Sequence, residues 1–99
     1  MVTWVMYDIT DNKIRNKVAQ SCLDYGLIRF QKSIFCGEPD KKTLEVLRTR
    51  ISEQVGTKEE GSAEVFVFTI CDTCMKNRTF IGTDSEPMIV HQPRLIIIG

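Results

Sequence analysis

The chain has almost no net charge: 13 basic residues balance 13 acidic ones. That balance excludes a global basic excess as the source of any nucleic-acid affinity and leaves the task to local placement of charge. No phosphate-binding glycine loop and no dinucleotide fingerprint occur, which removes the usual nucleotide-dependent enzymes. The single histidine, His91, has no nucleophile pattern nearby, so no Ser-His-Asp system is present and a surface or interface position is expected for it. No apolar run approaches the ~20 residues of a membrane span, the stretch at 95–98 being far too short. Met1 leads straight into an apolar segment ending at Tyr7 with no charged leader region and no small-residue cleavage site, so the cytosol is the expected compartment. Prolines number only three, and there is no internal repeat or low-complexity tract to suggest a tail or linker.

What is present is a folded-domain profile, 42% apolar and 26% charged over 99 residues. Such a length supports one domain, 1–99, and not two. Positions 1–37 carry Lys13, Arg15, Lys17, Arg29 and Lys32 against Asp8, Asp11 and Asp24, whereas 38–64 holds seven acids against five bases. Any phosphate-facing surface is therefore expected in the N-terminal third.

The run at 2–7 (VTWVMY) is β-prone and apolar on both alternating faces, as in a strand covered on both sides. Thr10 or Asp11 can cap a helix over 13–25, with Ile14, Val18, Cys22 and Tyr25 at helical spacing and Gly26 at its left-handed end. Positions 28–36 alternate, predicting one half-polar strand ended by Gly37 that shows Arg29, Gln31, Ser33 and Phe35 on one face. Pro39 and Asp40 open a second helix with Leu44, Leu47, Ile51 and Val55 as its core stripe, closed by Gly56. After a charged loop at 57–62, AEVFVFTI at 63–70 is another strand apolar on both faces. CDTCMKNR then reads as a polar connection to a short strand around 79–81, with weaker strands at 88–90 and 95–98. The order reads βαβ(β)αβ, that of a ferredoxin-like βαββαβ α+β sandwich with one edge strand unplaced and additional C-terminal strands. Two helices cover only one face of such a sheet. Burying the large side chains of the other face, each worth ~1.5–3 kcal/mol, predicts a homodimer in which strands at about 79–98 complete the sheet of the other subunit.

Among the residues that can carry chemistry, Asp8 emerges from the end of the first strand. In a two-fold dimer its two copies can approach each other, and facing carboxylates need a cation or a proton between them. Mg²⁺ suits that arrangement, because it takes one or two carboxylates plus phosphate oxygens and keeps its waters. By spacing alone the same residue reads as a strand-end cap that satisfies backbone, because a lone Asp lacks the ligand count of a specific metal motif. Arg15 and Lys17 near the start of the first helix can hold phosphates without reading sequence, or are simply a solvated helix face. The pair Cys71 and Cys74 supplies half a zinc site; Cys22 and Cys36 fall at core positions, so unliganded reduced thiols are expected, with zinc shared between subunits or a disulfide as the alternatives.

Tyr7-Asp8-Ile9, Asp11, Lys13, Arg15, Lys17, Tyr25-Gly26, Gln31-Lys32-Ser33-Ile34-Phe35 and Gly37 together resemble the N-terminal pattern of the CRISPR-associated protein two family, the small universal adaptation protein. The resemblance covers 2–37 by motif and the rest by strand order. It implies a ferredoxin-like homodimer that bridges integrase subunits and holds double-stranded DNA during spacer acquisition in a prokaryotic cytoplasm. It also implies Asp8 as the metal-binding and catalytic residue, one from each subunit, with Arg15, Lys17 and Arg29 on nucleic acid and Tyr7, Ser33 and Phe35 in support. Some relatives are metal-dependent nucleases, so the alternative is a Mg²⁺-dependent endoribonuclease or endodeoxyribonuclease, acting for example on single-stranded RNA, or a toxin-like ribonuclease of the same fold. An RNA-recognition sheet is disfavoured, because 63–70 lacks the basic-glycine-aromatic pattern of that motif.

Overall fold

Two aspartates start the two long helices of the computed structural model, which describes residues 1–56 and 61–82. The Asp11 carboxylate accepts from the Ile14 N–H at 3.0 Å and that of Asp40 from the Thr43 N–H at 2.7 Å. Each satisfies an amide that the first turn leaves without an intrahelical acceptor. The same Thr43 N–H holds the Asp40 carboxyl below its ordinary pKa. Helix α1 runs Asn12–Asp24 and α2 runs Lys41–Val55. Gly26 (φ +90°) and Gly56 (φ +57°) follow them in the backbone region that side chains with a Cβ avoid.

Strands β1 (Val2–Ile9), β2 (Ile28–Gln31), β3 (Ile34–Gly37) and β4 (Ala63–Ile70) form one sheet in the order β2-β3-β1-β4, antiparallel throughout. With α1 and α2 between β1–β2 and β3–β4, this is the ferredoxin-like arrangement that the element order predicts. One element differs. The single strand expected over 28–36 turns back at Lys32 and Ser33 into a hairpin, so that Arg29 lies opposite Phe35 and Ile28 opposite Cys36. The reversal supplies the fourth strand that a linear reading of the alternation cannot place. It also moves Phe35 off the predicted polar face: its side chain is wholly buried on β3, and Ser33 sits in the turn.

The helix-covered face buries Val5, Tyr7 and Ile9 of β1 against Val18 and Cys22 of α1, Leu47 and Ile51 of α2, and Phe35. Gly37 packs closely against the chain at Gly26 and Leu27. A Cβ there would stand 2.8 Å from the Leu27 Cδ2 and 3.3 Å from the Gly26 carbonyl, and Leu27 is itself buried. Gly37→Ala is accordingly expected to destabilise the domain by about 1–3 kcal/mol in urea titration, with an unchanged m value.

On the opposite face, residues predicted as a polar connection form a third helix, α3 (Asp72–Lys76), because Met75 is drawn into a small core with Val2 and Cys36. Trp4 and Phe30 meet edge to face at 5.0 Å beside it, and Phe80 packs on Phe30 at 6.0 Å. The chain over 79–81 is not a strand; anchoring of Phe80 as a lone side chain takes the place of ladder pairing. The strands expected at 88–90 and 95–98, His91, and most of the loop at 57–62 lie outside the described residues.

Helix α3 covers only one end of that face. Towards the other end Phe66 is 68% exposed, and Met6 and Phe68 are 38% exposed each. These are the large side chains that the two-sided apolar pattern of 2–7 and 63–70 leaves over once two helices have packed.

Candidate functional site

Strand alternation sends Tyr7 and Asp8 to opposite faces of the sheet, so the residues singled out from the sequence divide into two groups. Tyr7 turns toward the helices, where its ring stacks on Phe35 with centroids 6.2 Å apart. Its hydroxyl donates to the Lys32 carbonyl at 3.3 Å and its backbone N–H to the Ser33 carbonyl at 3.1 Å. The Arg29 guanidinium lies over the Phe35 ring, 4.8 Å from the centroid, and donates to the same Lys32 carbonyl at 2.7 Å. One carbonyl thus gathers two donors from two strands, which fixes the hairpin turn. Burial pushes the Tyr7 phenol above its ordinary pKa, with the nearby positive charge of Arg29 and, more weakly, Arg15 opposing it.

Arg15 donates to the Ile9 carbonyl at 3.2 Å, tying α1 to the end of β1, and a second guanidinium nitrogen bonds the Asn12 side chain. Arg15 and Arg29 therefore flank Tyr7 at the same end of the sheet. Lys17 follows two residues later in the helix, where side chains do not face each other, and is exposed. The predicted trio is in fact a pair of braced arginines and one separate lysine.

On the open face Asp8, the penultimate residue of β1, is exposed and lies directly opposite Glu64 of β4. Met6, Tyr7 and Phe66 complete the walls of a shallow depression of ≈ 170 Å³ around the two acids. Like charges in register across a ladder repel. Among the described residues no cation pairs with either carboxylate, and no group of three or more His, Cys, Asp or Glu side chains gathers anywhere. Two carboxylates per chain, open to water, would suit a hard cation such as Mg²⁺ that retains waters and takes few protein ligands. Soft metals would want sulfur or imidazole. Glu64 is the residue that sequence reasoning passed over. Its signal is geometric: two eight-residue strands paired antiparallel from end to end set the penultimate residue of one against the second residue of the other.

Ser33 lies in the hairpin turn and Phe35 in the helix-side core. Cys71 and Cys74 stand exposed at the start of α3, and Cys22 and Cys36 are buried.

The family described as CRISPR associated protein Cas2 matches residues 1–78. The chain is 39% identical over 72 residues to a CRISPR-associated endoribonuclease Cas2 of Desulforudis audaxviator, covering 73% of this chain and 65% of that protein. It is 40% identical over 78 residues to the protein of the same name from Korarchaeum cryptofilum, covering 79% and 81% of the two chains. A Cas1/Cas2 endonuclease fusion of Thermoproteus tenax is 33% identical over 71% of this chain, which spans 25% of the fusion. Among solved structures, Streptococcus pyogenes Cas2 superposes with a TM-score of 0.66 at 21% identity, over 83% of this chain and 100% of that one.

Proposed function

The chain belongs to the CRISPR-associated Cas2 family, and from that premise we propose that it serves spacer acquisition as a homodimer that grips double-stranded DNA and bridges integrase subunits. The observation that carries this reading is the open face: Met6, Phe66 and Phe68 form an apolar surface beside the Asp8–Glu64 pair. A second copy seated there removes the apolar area from water and brings four carboxylates, two from each copy, to one symmetric seam. β4 is one of the two outer strands of the described sheet, so its outer edge can accept a strand from about 79–98 of the other subunit, most of which lies outside the described residues. The fusion of Cas1 with Cas2 in the Thermoproteus tenax relative supports a Cas1-type integrase as partner. Among the described residues no helix is long and apolar enough to cross a membrane, and action in a prokaryotic cytoplasm is part of the proposal.

Duplex binding falls to Arg15, Lys17 and Arg29. Arg15 and Arg29 are held by carbonyl oxygens, so less side-chain freedom is given up when they meet phosphates. Substituting any one by alanine is expected to weaken binding to all duplexes alike. It should also lower the slope of log K against log salt by ≈ 0.9 for each phosphate that is no longer neutralised. Fluorescence anisotropy on two unrelated duplexes over a salt series reads both quantities. The proposal itself is tested by sizing the protein with a Cas1-type integrase and a short duplex: a stable ternary species is expected, and binary species alone would overturn the bridging role.

A second reading, a Mg²⁺-dependent endoribonuclease, is favoured by the exposed Asp8 facing Glu64 without a cation and by the names of the relatives. Asp8 from each copy would hold the ion, which supplies neutralisation of phosphate charge and activation of water. Phe66 and Met6 would keep the seam partly dry, strengthening the electrostatics there. Cleavage of single-stranded RNA that requires Mg²⁺ and disappears with EDTA is the expected outcome.

A further inference from the structure

Two thiols are used by neither the fold nor the proposed function. Cys71 is the N-cap of α3 and Cys74 its third residue, a spacing that sets both side chains on one face of the first turn. Both are exposed, whereas Cys22 and Cys36 are buried, and burial pushes the Cys22 thiol up to about 12. Cys71 forms no capping hydrogen bond. The N–H of Cys74 and its thiol nevertheless lie close enough to favour the Cys71 thiolate and hold it below the ordinary thiol range, while nearby Cys71 holds Cys74 above it. The neighbouring Asp72 carboxylate opposes the first effect weakly, and it is engaged by the Met1 amine at 3.2 Å. One sulfur is thus prepared to attack and the other to resolve, both in the open.

We propose that Cys71 and Cys74 are a reversible redox site, closed to an intramolecular disulfide by exchange with a low-molecular-weight disulfide such as oxidised glutathione. The Cys71 thiolate attacks one sulfur of the oxidant, forming a mixed disulfide and expelling one glutathione thiolate. Cys74, giving up its proton, attacks the Cys71 sulfur and expels the second. Two protein thiols are oxidised, one glutathione disulfide is reduced to two thiols, and the two protons end on glutathione. Closure draws the Cβ atoms from the ~5–6 Å of helical neighbours to the ~3.5–4.5 Å of a disulfide. The exposed first turn of α3 can absorb that tightening, since the helix is anchored from its other side by Met75 in the core with Val2 and Cys36. The site stands directly after β4, where α3 begins.

The test is intact-mass spectrometry with peptide mapping after the full chain is incubated with oxidised glutathione. The expected product has lost two hydrogens, maps to a Cys71–Cys74 bond and reverts completely with dithiothreitol. Cys74→Ser should stop at one glutathionyl group on Cys71, and Cys71→Ser should remain largely unmodified over the same interval. A persistent mixed disulfide in the wild type, links between chains in place of the internal bond, or modification of Cys22 or Cys36 ahead of this pair would each overturn the proposal.

Discussion

Replacing Asp8 with asparagine is expected to reduce Mg²⁺-dependent cleavage of single-stranded RNA by at least about a hundredfold, since even groups that only orient a metal ligand cost 10–100-fold when removed. Stability should move the other way. Asp8 faces Glu64 in register on an exposed face, so the substitution removes a like-charge repulsion and should raise the melting temperature by about 2–4 °C. Opposite signs for activity and stability are the signature of a residue kept for chemistry. Glu64→Gln relieves the same repulsion and should match the thermal gain, with a smaller loss of cleavage if Glu64 serves the ion from one side only. Duplex affinity provides the control. Arg29 and Tyr7 lie across the sheet from Asp8, so the asparagine variant should bind duplex within about threefold of wild type by anisotropy. Cleavage that persists at the wild-type rate in the asparagine variant would remove Asp8 from the reaction and leave the scaffold role alone standing.

How much of this is legible without coordinates depends on whether a residue is specified locally or by register. The helices are local: Asp11 and Asp40 cap them and Gly26 and Gly56 end them where the composition says they must. β4 is local as well, an apolar run bounded as expected at 63 and 70. The hairpin is not. Residues 28–36 alternate well enough for one strand, and only the closure of Lys32–Ser33, held by Tyr7 and Arg29 on one carbonyl, reveals two. That reversal decides the face of Phe35, because a turn resets the alternation on which the assignment to a polar face rests. Helix α3 escaped for a related reason: one buried Met75 in a polar sequence is a tertiary event, and five residues are too few for periodicity to register. At the site, Asp8 was legible from its strand position and Glu64 was not, since pairing between residues so far apart in the chain is set by register alone.

For the homodimer proposed across the open face, Phe66→Ala is expected to convert dimer to monomer at micromolar concentration. The side chain is 68% exposed in the single chain and packs in neither core cluster, so its removal leaves the folded monomer within about 0.5 kcal/mol of wild type. In a two-fold interface the same residue counts twice. Burying a phenylalanine contributes ~1.5–3 kcal/mol, and its removal from both copies raises the dimer dissociation constant by about 10²–10⁴. Sedimentation velocity over a concentration series measures that shift, and urea titration checks that the monomer is intact. Lys17, an exposed residue of α1 away from the open face, serves as the neutral comparison: Lys17→Ala should weaken duplex binding and leave the dimer unchanged. The two assays then separate dependence on dimerisation from dependence on charge. If paired Asp8 carboxylates are needed for cleavage, Phe66→Ala should lose RNA cleavage in proportion to the dimer fraction, and raising protein concentration should restore it. A variant that stays dimeric would place the subunit interface elsewhere on the molecule and would remove the open face as the surface on which two copies of Asp8 could share an ion.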